Sequence, residues 1–128
     1  MSLRIVRLGT PRQRGEGLRI GTVRRPPRGV RKSEYAKQNW FDVWLPNLSP
    51  SAALMRRSHI IEDKTAWKSF ARAFATELKQ PDCAHLLDVV AALSHVTNLS
   101  IGCYCEDETR CHRSILRAAL LARGAVIL

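Results

Sequence analysis

"NLSIGCYCEDETRCHRSILRAALLARG", residues 98–124, joins a strand-like run directly to a helix-like one. Asn98–Cys105 is a run of mostly apolar residues, which predicts a buried strand. From about Thr109 to Arg123 the apolar residues recur at helical spacing, and Gly124 supplies a stop. A buried strand feeding an amphipathic helix is the building unit of parallel α/β sheets. Leu99–Cys103 is therefore expected at the centre of a sheet, with the following helix packed on it.

Outward from this stretch, Leu3–Leu8 alternates apolar and basic residues and predicts a half-exposed strand. Gly9–Gly17 reads as a turn-rich loop, and Leu18–Val23 as a second strand. The basic loop Arg24–Lys32 follows, where Pro26 and Pro27 bar helix. Phe41–Leu45 reads as a short strand. Ser49 as cap and Pro50 at the first helical position predict a helix over 50–57. Asp63 caps a clearer helix with Trp67, Phe70, Phe74 and Leu78 on its buried face. Pro81 opens another helix, whose expected inner face is Leu86, Val89, Val90 and Leu93. The terminal Ala125–Leu128 reads as a last strand. The pattern predicts an α/β fold: a single compact domain, residues 1–128, with a small mainly parallel sheet and helices on both faces.

Composition bounds the function. The charged fraction is 25% and the apolar fraction 45%, both ordinary for a globular domain. No apolar run approaches the roughly 18 residues that span a bilayer, and the basic N-terminus lacks a signal-like apolar stretch. No membrane partner and a cytoplasmic location are expected. The net charge is +10, and residues 1–37 hold 11 Lys or Arg against Glu16 and Glu34, a local balance of +9. A basic end on a neutral body suits either weak nucleic-acid binding or a solvated Arg-rich surface. Tyr35 and Trp40 lie near the charge run, whereas Trp40, Trp44 and Trp67 all read more simply as core.

Three of the four cysteines fall within residues 102–117. Cys103, Cys105, Cys111 and His112 have the composition of a tetrahedral zinc site. Adjacent residues diverge by about 100° on a helix, however, so Cys111 and His112 are not expected to share an ion. No metal and no cofactor are predicted. Cys111 near a helix start, flanked by Arg110 and Arg113, suits a thiolate, with Cys105 as a resolving partner. Cys111 and Arg117 match the bare Cys-x5-Arg of phosphate-cradling phosphatases, but the loop lacks the glycines such a cradle needs. Plain packing of Cys103, and of Cys111 with Ile115, Ala118 and Ala122, is the competing reading.

The chain resembles the YeaO-like proteins, which carry domain of unknown function 488. The resemblance lies in Arg24, Pro27, Arg28 and Gly29 after a strand, in Trp40, in the Pro50–Ser51 helix start, in His59, and in Cys105, Glu106, Cys111, His112 and Arg113 at the second strand–helix junction. Val23 and Pro26 stand where members carry an Asp and an aromatic residue. The resemblance implies a single-domain α/β fold and no specific chemistry.

Three functions follow as expectations. The first is an enzyme or binder of a small anionic ligand, with Arg24, Arg28 and Arg113 binding, and with His112, Cys111 and Glu106 as catalytic groups around one cleft. Strand ends of an open sheet are where such clefts form. The second is a nucleic-acid binding or processing protein using the basic N-terminal third. The third is a cysteine-based redox or metal module. No nucleotide fingerprint or Walker loop is present. Oligomeric state leaves no trace in the sequence.

Overall fold

The computed structural model describes residues 1–58 and 63–128; His59 lies outside the described residues. Among the described residues four strands form one sheet: β1 (Leu3–Arg7), β2 (Leu18–Gly21), β3 (Val43–Trp44) and β4 (Leu99–Cys103). Their order is β1-β4-β2-β3, and every pairing is parallel. β4 is central, as its five buried residues require. Its neighbours run level with it: Leu3 and Leu18 both pair with Leu99, and Ile5 and Ile20 with Ile101. The terminal segment adds only a bridge between Ile127 and Leu3.

The described residues also form four α-helices: α1 (Ala52–Ser58), α2 (Lys64–Glu77), α3 (Pro81–Leu93) and α4 (His112–Ala122). Asp63 caps α2 by accepting from the Ala66 N–H at 2.8 Å. The cap of α1 is Ser51, whose Oγ accepts from the Leu54 N–H at 3.2 Å. Ser49 is instead buried with its hydroxyl on the Pro50 carbonyl. On α3 the buried residues are Leu87, Val90 and Ala91, while Val89 is exposed. On α4 they are Leu116 and Leu120 with His112 and Arg113; Ala118 and Ala122 face out.

One core unites Leu3, Ile20, Leu99 and Ile101 of the sheet with Leu54, Phe74, Leu87 and Leu116 of the four α-helices. Side chains alternate along a strand, so Arg19, Gly21, Ser100 and Gly102 turn to the opposite face. That face is covered by the 9–17 loop and by residues 32–42, which contain a 3-10 turn at Lys32–Glu34. The α-helices thus gather on one face, and the second carries short turns. A buried ion pair ties this cover down. Arg19 donates to Glu16 at 2.7 and 2.9 Å, and to the carbonyls of Thr10 and Asn39. Gly21 is a glycine because the Phe41 ring lies where its side chain would stand. A smaller cluster, Leu8, Val23, Phe41, Cys103 and Cys111, closes the carboxyl end of the sheet.

Candidate functional site

Because all strands are parallel, their carboxyl ends open on one side. A pocket of about 480 Å³ lies there, lined among others by Arg24, Arg25, Arg28, Arg56, Cys105 and His112. Arg24 is positioned by donating to the carbonyls of Ser49 (3.0 Å) and Pro50 (3.1 Å), just ahead of α1. Those bonds fix its guanidinium without neutralising it. Among the described residues no carboxylate pairs with Arg24, Arg25, Arg28 or Arg56. By contrast Arg12 is matched to Asp42 at 2.8 Å and Arg117 to Glu108 at 2.7 Å. A second depression, about 650 Å³, shares Arg25, Arg28 and Tyr104 and adds Arg7 and Trp40. Trp40 packs edge-on against Tyr104, and Tyr35 against Phe41.

The inner wall is a dry cluster of sulfur and imidazole. Asp107 accepts from the N–H and hydroxyl of Thr109 at 2.9 and 2.6 Å, starting a 3-10 turn at Glu108–Arg110. The chain leaves that turn with Cys111 extended (φ −122, ψ 152), and the helix begins only at His112. The two side chains therefore meet: the His112 Nδ1 lies 3.8 Å from the Cys111 Sγ. This overturns the expected divergence, which assumed a helical Cys111. The His112 Nε2 is 2.7 Å from the Thr22 carbonyl. A carbonyl only accepts, so Nε2 carries a proton and Nδ1 faces the sulfurs. The Cys103 and Cys111 sulfurs are 2.8 Å apart, and Cys103 also accepts from the Cys105 N–H at 3.3 Å.

Hydrogen bonding to the Cys103 and Cys105 thiols, then to His112, outweighs burial and holds the Cys111 thiol well below its ordinary range. Hydrogen bonding to Cys105 and Cys111, with burial, pushes Cys103 up. Cys111 is thus the anionic member of the cluster. Burial, aided by Tyr35 and Cys103, raises Tyr104 to about 12. Its hydroxyl stays protonated and donates to the Arg25 carbonyl at 2.9 Å, bracing the basic loop.

A family model described as the active DUF488-N3 subclade matches residues 3–124. The chain belongs to this DUF488 family. No protein of curated function and no solved structure matches it.

Of the residues singled out in sequence, the DUF488 chain brings Arg24, Arg28, Cys105 and His112 to one pocket. Cys111 sits behind His112, buried. Arg113 is buried as well; it donates to the Cys105 carbonyl and its Nε has no partner among the described residues. It props the 104–111 loop from within and does not line the pocket. Glu106 is exposed, 3.5 Å from Arg7, and makes no contact with His112. Its expected catalytic role is set aside, because the strand has ended and its side chain turns outward. The phosphatase motif fails too, since Arg117 is engaged by Glu108 on both carboxylate oxygens. Sequence reasoning missed Arg56, which shares a helical face with Ala52 at i, i+4. Cys103, weighed both as a zinc ligand and as packing, was not among the expected site residues, and Arg25 was not distinguished within the basic loop. Trp44, read as core, is 42% exposed. No helix among the described residues is long and apolar enough to cross a membrane.

Proposed function

We propose that this protein binds, and acts on, a small anionic ligand bearing phosphate or carboxylate. The observation that carries the reading is the convergence of Arg24, Arg25, Arg28 and Arg56, none with a carboxylate partner among the described residues, on one pocket beside His112. Unpaired guanidinium groups in a concave site favour an anion, and Arg forms matched pairs of bonds to phosphate or carboxylate. The site lies at the carboxyl ends of parallel strands, the usual ligand position in open α/β sheets. Its inner wall supplies a reactive centre, the Cys103, Cys111 and His112 cluster, and the subclade's description as active accords with an enzyme. Calorimetry with inorganic phosphate at low salt tests the reading. Arg28→Ala and Arg56→Ala should each weaken binding about 10-fold or more, given 1.5–3 kcal/mol for a hydrogen bond to a charged group. Arg14→Ala removes the same charge outside the pocket and should change affinity less than about 2-fold. Equal losses in all three variants would reduce the pocket to part of a diffuse basic surface.

A second reading, weak nucleic-acid binding, rests on the continuity of the two depressions through Arg25 and Arg28. Arg7 and Trp40 extend the basic surface beyond the size of a small ligand.

A further inference from the structure

We propose that Cys103, Cys111 and His112 hold a single zinc ion, with its fourth coordination position open to the arginine-lined pocket. The ligand atoms of these three residues lie within 4.8 Å of one another, and all three residues are buried. They come from separate features, the end of β4, the cap of α4 and its first turn, so the fold itself assembles the set. Three further observations favour an ion there.

The first is the imidazole. The Nε2 bond to the Thr22 carbonyl fixes the tautomer and turns the Nδ1 lone pair toward the sulfurs. A ligating histidine that donates its other ring N–H to a backbone carbonyl is the usual supporting arrangement. The second is geometry. Zn–S bonds of about 2.3 Å and Zn–N bonds of about 2.0–2.1 Å require S···N of about 3.6 Å and S···S of about 3.8 Å at tetrahedral angles. The observed S···N is 3.8 Å. The observed S···S is 2.8 Å, so zinc would part the two sulfurs by about 1 Å. The third is charge. A metal ion displaces the thiol protons as it binds, and one divalent cation neutralises the two resulting buried thiolates in place. Two sulfurs and an imidazole also select zinc over the hard, oxygen-seeking cations.

The open position follows from placement. Cys103 and His112 themselves line the pocket, so an ion held between them faces it. Cys105, exposed at the rim, falls outside the three-residue set. Its N–H donates to the Cys103 sulfur at 3.3 Å, and its thiol hydrogen-bonds to the cluster from the rim. The Lewis acid would stand at the floor of the proposed anion pocket, but its binding does not depend on that ligand and is measured without it.

The experiment uses the full chain, purified under reducing conditions without chelator. Elemental analysis should give one zinc per chain. After chelator treatment, added Co2+ should produce a near-ultraviolet thiolate-to-cobalt charge-transfer band and visible bands that shift on adding azide, which enters the open position. Cys103→Ser and Cys111→Ser should each weaken zinc binding by more than about 100-fold, beyond the 10–100-fold cost of altering a supporting partner. Cys105→Ser should leave stoichiometry and charge-transfer intensity unchanged. Circular dichroism checks that each variant is folded, and the wild-type measurements need no variant. Wild-type protein that takes up neither zinc nor Co2+ at micromolar concentration would overturn the site. So would a Cys103–Cys111 disulfide that persists in protein purified under reductant. A one-third loss of charge-transfer intensity in Cys105→Ser, with no azide effect, would overturn the open position.

Discussion

Replacing Glu16 by Gln removes the buried carboxylate that neutralises Arg19. The two side chains are 2% and 0% exposed, so water screens neither. Glu16 accepts from Arg19 at 2.7 and 2.9 Å, from Ser100 at 2.8 Å, and from the Gln13 N–H at 3.2 Å. Burial alone would raise the carboxyl, but bonds from Arg19 and Ser100 outweigh it and lower it from 4.5 to about 2. A difference of this size is worth roughly 3 kcal/mol, at 1.36 kcal/mol per pKa unit. The folded value is the depressed one, so this stability is complete above about pH 4.5 and disappears as the pH falls toward 2. Glu16→Gln should therefore lose about 3 kcal/mol at pH 7, within the range for breaking a buried pair. Urea unfolding followed by circular dichroism measures it. The gap between wild type and variant should be constant from pH 7 to about 5 and narrow toward pH 2, which separates Glu16 from other carboxylates such as Asp42. A variant within about 1 kcal/mol of wild type at pH 7, or a gap that does not narrow in acid, would refute the reasoning.

Gly17→Ala should destabilise the fold by more than about 3 kcal/mol in the same assay, because a side chain there overlaps the Asn98 carbonyl and φ is +78. Gly29 has φ +72 but open space around it, so Gly29→Ala should cost only about 1–2 kcal/mol. Fluorescence anisotropy with a labelled single-stranded oligonucleotide should show weak binding that falls steeply with salt, and Arg28→Ala should lower the salt slope by about one. An absence of binding at low salt would confine the arginines to the small-ligand role.

The central position of β4 was legible because a strand buried on both faces must be apolar almost throughout. The start of α2 was legible because Asp63 caps it by a purely local bond. The inner face of α3 was misread for a reason of the same kind. "LLDVVAAL" is apolar nearly all the way round, so its period does not choose between Val89 and Leu87. Packing against α4 and against the short turn at Pro46–Leu48 makes that choice. The cover that segment 9–17 lays over the sheet was not legible, because the segment reads only as a turn-rich loop. Glu16 of that loop and Arg19 of β2 make a buried pair that holds the loop over the sheet.

The site was legible only in its halves. Arg24 follows β2 and His112 follows β4, and nothing local says whether those strands run the same way. Their register supplies the answer. Gly21 pairs with Gly102, so the two strands end level and in parallel. The next residue, Thr22, donates both its N–H and its hydroxyl to the Gly102 carbonyl. Its own carbonyl then accepts from His112. One residue thus couples the basic loop after β2 to the imidazole after β4. The arginines and the sulfur–imidazole cluster share a pocket because Thr22 stands between them. Whether Cys111 joins His112 depends on a smaller event, the Asp107–Thr109 turn, which moves the helix start from Thr109 to His112 and leaves Cys111 extended. Had the helix begun at Thr109, the two side chains would have diverged and the cluster would not exist.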